Sequence, residues 1–125
     1  MPFAIESFDL RKYDLILSSS HCVAKRVKPR PGSLHICYCH TPMRYIWDQF
    51  DQYFCRVKSG LIPWAIMKML RPWLQWWDSK TSCRVDDYIA NSRHVQKRIK
   101  KYYLKEATII YPPVDTKRFK QSGEK

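Results

Sequence analysis

Short apolar runs alternate along this chain with stretches whose apolar positions recur every three or four residues. Residues 14–18, 34–39, 87–90 and 107–111 are brief runs bounded by polar or turn-forming residues, and they predict strands. A helix signal follows each of the first three. Residues 22–27 follow the first run. After the second come Thr41 and Pro42, suited to the N-cap and first position of a helix over 43 to about 54. After the third, Asn91-Ser92 supplies a cap for a helix in which Val95, Ile99 and Tyr102 share one face. Strands that are apolar throughout and joined through helices predict an α/β fold, a parallel sheet with helices on both faces. Ligands bind such sheets where strand C-termini open into helix N-termini. Residues 18–21, 40–44 and 91–93 all fall on that rim.

The stretch 60–78 is the most apolar and carries four of the chain's five tryptophans. Lys68, Arg71 and Gln75 interrupt it and it holds Pro63 and Pro72, so a membrane-spanning helix is not expected. Lys68, Arg71, Gln75 and Asp78 draw one polar stripe at helical spacing, leaving a wide apolar arc. That arc has two readings: burial against protein, or a helix lying in a membrane interface, which favours tryptophan flanked by basic residues.

Composition narrows the class. With 125 residues the chain is one domain's worth, and 45% apolar residues exclude wholesale disorder. Lys and Arg number 23 against 11 Asp and Glu, a net charge of +12 that calls for an anionic partner. The five cysteines follow no secretory leader and read as reduced thiols in a cytoplasmic protein. No glycine-rich phosphate loop occurs. His35, Cys37, Cys39 and His40 invite a zinc reading, but zinc knuckles need paired Cys-x2-Cys, and a strand would turn His40 away from the other three. No metal or cofactor is expected. The run from Arg93 to Lys105 has six positive charges and no negative one. It reads as a solvated helix face, as an attraction for anionic lipid, or, with Tyr102 and Tyr103, as a nucleic-acid-binding module.

Four strings bring these signals together. His35-Ile36-Cys37-Tyr38-Cys39-His40-Thr41-Pro42-Met43-Arg44-Tyr45-Ile46-Trp47-Asp48 resembles the family 4 (group 1) glycosyltransferases, within them the O-antigen mannosyltransferase type. So do Tyr13-Asp14-Leu15-Ile16-Leu17-Ser18-Ser19-Ser20-His21, Tyr88-Ile89-Ala90-Asn91-Ser92-Arg93-His94-Val95 and Tyr111-Pro112-Pro113-Val114-Asp115-Thr116-Lys117-Arg118-Phe119. The resemblance implies a GT-B enzyme, two Rossmann-like domains facing across a cleft. Residues 1–114 would be part of the N-terminal, acceptor-side domain, and 115–125 the start of the linker to a nucleotide-sugar-binding domain. A fragment of that extent is expected to be inactive alone.

The implied activity is transfer of a hexose, mannose by type, with retention of configuration. The donor would be a nucleotide-sugar, GDP-mannose, and the acceptor a lipid-linked glycan of surface-polysaccharide biosynthesis. No cofactor would be required and no nucleic acid is expected as a partner. The protein would be cytoplasmic, with attachment to the inner face of the plasma membrane as a further expectation. His40 matches the family's histidine at the cleft and is the catalytic candidate. Thr41 and Arg44 would bind substrate, Arg44 by pairing with a phosphate of the acceptor. Ser92 and Arg93, opening a helix, form a second candidate anion site. His21 has two readings, packing at a helix start or reaching the cleft.

Overall fold

A computed structural model describes residues 4–54 and 60–115. Beyond Asp115, the expected linker lies outside the described residues. Four strands, β1 (Leu15–Ser20), β2 (Leu34–Cys39), β3 (Asp87–Ala90) and β4 (Ala107–Ile109), pair in parallel in the order β1-β2-β3-β4. The helices are α1 (Arg44–Trp47), α2 (Phe50–Tyr53), α3 (Leu61–Thr81) and α4 (Arg93–Tyr103), with single 3-10 turns at Ala4–Ser7, Ala24–Arg26 and Ser82–Arg84. This is the parallel, Rossmann-like α/β sheet that the apolar runs predict.

Register sorts the side chains into two faces. Ser18, Cys37, Tyr88 and Ala107 align across the sheet, as do Ser20, Cys39, Ala90 and Ile109. On this face lies the core, where Cys37, Cys39, Tyr88 and Ala90 pack against Val95, Ile99 and Tyr103 of α4. The opposite face, through Leu15, Leu17 and Leu34, is exposed, Leu17 to 71%. Among the described residues the helix cover is therefore on one face, where the sequence pattern predicts it on both. Strands that advance in one direction through right-handed crossovers put every helix on the same side.

Local signals act as expected at α4. Ser92 caps it, its hydroxyl accepting from the Val95 amide at 3.3 Å. Elsewhere tertiary contacts override them. Thr41 does not cap a helix: α1 starts at Arg44, and the Thr41 hydroxyl instead accepts a 2.6 Å hydrogen bond from Arg98. The helix expected over 43 to about 54 is two separate turns, α1 and α2. Arg71 and Gln75 of α3 donate to the Ile46 carbonyl at 2.9 and 2.7 Å, and Arg71 to that of Trp47 at 2.9 Å. Those carbonyls would otherwise accept the amides of residues 50 and 51 and continue the helix. The helix expected over 22–27 is only the turn Ala24–Arg26, with Lys25 and Arg26 drawn into the interior.

Lys25 makes the main buried polar contact. Its ammonium lies 2.6 Å from the Asp78 carboxylate and 3.7 Å from the centre of the Tyr103 ring. Asp78 also accepts from Trp47 Nε1 and the Tyr103 hydroxyl, each at 2.9 Å. Burial pushes the Lys25 pKa down, opposed by Asp78. One carboxylate thus ties α1, α3, α4 and the turn after β1 together.

Candidate active site

The carboxyl ends of β1, β2 and β3 lie side by side, and each hands over to a loop with a polar side chain. A cleft of about 780 Å³ opens above them. From the loops after β1 and β2 it takes His21, His40, Thr41 and Arg44; from the third loop and α4 it takes Asn91, His94, Lys97 and Lys101.

His40 continues the ladder by one bond, its amide donating to the Ser20 carbonyl at 2.8 Å. That bond fixes the backbone, and two contacts fix the ring. Nε2 is 2.9 Å from the Ser19 hydroxyl, and the Tyr38 ring meets the imidazole edge-on at 5.2 Å between centroids. The other ring nitrogen has no hydrogen-bond partner among the described residues, and the side chain is exposed at the cleft.

Beneath His40 the floor is braced. Arg98 holds Thr41 and pairs with Asp48 at 2.5 Å. Asp48 also accepts from the Tyr102 hydroxyl, and Tyr102 stacks on Trp47 with centroids 4.4 Å apart. Among the described residues one carboxylate lines the cleft, and it is thereby committed to Arg98. Among the described residues no ion pair engages Arg44, Lys97 or Lys101, so the cleft keeps an excess of positive charge suited to phosphate oxygens.

Four of the six residues singled out in the sequence, His21, His40, Thr41 and Arg44, meet in this cleft. Ser92 and Arg93 do not line it: the Ser92 hydroxyl is occupied as the α4 cap, and Arg93 is exposed at the first helical position. Their neighbours His94, Lys97 and Lys101 line it instead. Their spacing of three and four residues on a helix rooted at the rim was the available signal.

His35, Cys37 and Cys39 lie together on the buried face of β2, away from His40. Both His35 nitrogens are engaged, Nδ1 with the Arg84 carbonyl at 2.8 Å and Nε2 with the Ser18 hydroxyl at 2.9 Å. Burial raises the Cys37 thiol and pushes Cys39 up to about 12, so both carry their protons. Among the described residues no group of three or more His, Cys, Asp or Glu side chains could hold a metal ion.

The basic cleft sits at the carboxyl edge of a parallel α/β sheet, the place where such folds bind their ligands. The model of Glycosyltransferase Family 4 matches residues 2–118, nearly the whole chain, and the protein belongs to that family. Its fold is the N-terminal domain type of the GT-B glycosyltransferases. No curated protein and no solved structure matches the chain.

Proposed function

We propose that this chain is the acceptor side of a retaining transferase that moves a hexose, mannose, from GDP-mannose to a lipid-linked glycan in surface-polysaccharide biosynthesis, in the cytoplasm. The observation that carries the reading is His40. It stands at the end of β2, lining a basic cleft, with one nitrogen held by Ser19 and the other without a hydrogen-bond partner among the described residues. In glycosyl transfer from a nucleotide-sugar, negative charge develops on the departing diphosphate as the bond to the anomeric carbon breaks. Fixed cations and helix N-termini stabilise that charge. The reading gives those groups to a nucleotide-binding domain, and gives His40 the sugar at the reacting centre. Arg44, Lys97 and Lys101 then meet the phosphates through which the acceptor glycan is tied to its lipid.

The nucleic-acid alternative is weaker on one count. Base stacking needs an accessible aromatic face, whereas Tyr102 is stacked on Trp47 and Tyr103 is buried over Lys25.

His40→Ala in the full-length enzyme is expected to lower kcat by about 100-fold or more, with the circular dichroism spectrum unchanged. Sugar transfer is followed from radiolabelled GDP-mannose and, in parallel, UDP-glucose. Wild-type turnover in the variant removes the assignment of His40. Transfer from UDP-glucose alone removes mannose.

A further inference from the structure

Helix α3 is built inside out. Three residues of its polar stripe face the protein, while Lys68 is exposed: Arg71 and Gln75 hold the carbonyls of Ile46 and Trp47, and Asp78 is buried against Lys25. Its outward stripe, Ile62, Ile66, Met69, Trp73 and Trp76, repeats at three and four residues and is apolar throughout. Ile62 is 73% exposed, Met69 74%, and both tryptophans more than half. Leu104, left-handed at φ 54° and 88% exposed, borders the same recess as Trp76 and Lys80 and extends the apolar surface. A surface helix in water turns its polar side outward, so this one is patterned for an apolar contact.

The charges around the stripe decide which contact. Lys80 ends it and Lys68 flanks it, their ammoniums lying 4.8 Å from the Trp76 ring centre and 4.6 Å from that of Trp64. Asp78, the only acidic residue of α3, faces inward. The whole chain carries +12. A second copy would bring lysines against lysines, whereas an anionic lipid surface complements them, and tryptophan favours the headgroup level. The stripe runs about 21 Å from Ile62 to Trp76, and no helix among the described residues is long and apolar enough to cross a membrane. We propose that α3 docks flat on an anionic bilayer through Ile62, Ile66, Met69, Trp73 and Trp76, with Lys68 and Lys80 on the headgroups. The inference rests in part on the lipid-linked acceptor of the proposed function, which such docking would bring to the enzyme at its own surface.

Flotation of the full-length protein tests it, with vesicles of phosphatidylcholine mixed with phosphatidylglycerol and vesicles of phosphatidylcholine alone. The wild type is expected to float with the mixed vesicles and to stay behind with the neutral ones. Met69→Glu, on an exposed position, should lower the floated fraction about tenfold, and Lys68→Gln with Lys80→Gln should lower it and blunt its salt sensitivity. Brominated lipid should quench tryptophan fluorescence in the wild type and less in Trp73→Phe. No flotation by the wild type overturns the proposal, as does a Met69→Glu variant that floats equally well. A dimer in light scattering that Met69→Glu converts to monomer gives the stripe to a second copy and also overturns it. Transfer to a detergent-solubilised acceptor is measured separately. Loss of docking with transfer intact, or the reverse, therefore shows which of the two readings has failed.

Discussion

At the scale of single residues, two histidines five positions apart on one strand and its exit are put to opposite uses by the period of two along β2. His40 is exposed at the rim, with one nitrogen left for a ligand. His35 is sealed in the core, its two nitrogens satisfied as a neutral ring donating from Nδ1 to the Arg84 carbonyl. Desolvation lowers the His35 pKa, against smaller opposing effects from that hydrogen bond and from Asp86. At pH above its ordinary value of 6.5 both folded and unfolded states hold the ring neutral. Below that value the unfolded chain takes up a proton that the folded protein refuses. The stability due to this group is thus fully present above pH 6.5 and is lost as pH falls from there through the folded pKa. Urea unfolding from pH about 7.5 to about 5.5 should show this decline, and His35→Gln should flatten it. An unchanged slope in that variant would show that other groups set the acid response.

At the scale of elements, α3 is fixed by its polar contacts. Asp78 is shared by Lys25, Trp47 and Tyr103, so its removal leaves a buried ammonium without its counter-charge. Asp78→Ala is expected to cost ~3–5 kcal/mol in urea unfolding, and Lys25→Met combined with Asp78→Leu to recover most of that. A loss below about 1 kcal/mol would mean that the pair is solvated or dispensable. The same contacts explain what could be read in advance. β2, β3 and the Ser92 cap follow from local residue chemistry, and all were legible. Four of the six singled-out residues gather in the cleft because strand ends fix the rim. The direction of α3 was not legible, because a narrow polar stripe beside a wide apolar arc reads equally well either way round. Only the unspent carbonyls of Ile46 and Trp47 and the buried Lys25 turn Arg71, Gln75 and Asp78 inward. The same capture divides α1 from α2, and Arg98 takes the Thr41 hydroxyl that a local cap would have used. His94, Lys97 and Lys101 were visible as charges, but which side of α4 faced the cleft depended on packing of Val95 and Ile99.

For the whole molecule, the question is where a charge of +12 goes. Self-repulsion destabilises a compact basic protein, and part of the excess is neutralised internally, as Glu6 does for Arg26, Lys28 and Arg84. The cleft is treated differently. Among the described residues its one lining carboxylate, Asp48, is spent on Arg98, and Arg44, Lys97 and Lys101 line the wall without an acidic partner. Unpaired cations that converge on a concavity focus positive potential there and recruit an anion. If that anion is a diphosphate, each charge-assisted contact is worth about 1.5–3 kcal/mol, or roughly a tenfold change in Kd or more. Calorimetric titration of the full-length protein with inorganic pyrophosphate should therefore show binding that weakens as salt rises. Lys97→Gln combined with Lys101→Gln should raise Kd by about a hundredfold if both contacts are direct, and should make it less sensitive to salt. Lys12→Gln combined with Lys68→Gln, which removes the same two charges from positions outside the cleft, separates focusing from overall charge. An equal effect from that pair would mean that the basic excess acts as a diffuse field, with no anion site in the cleft.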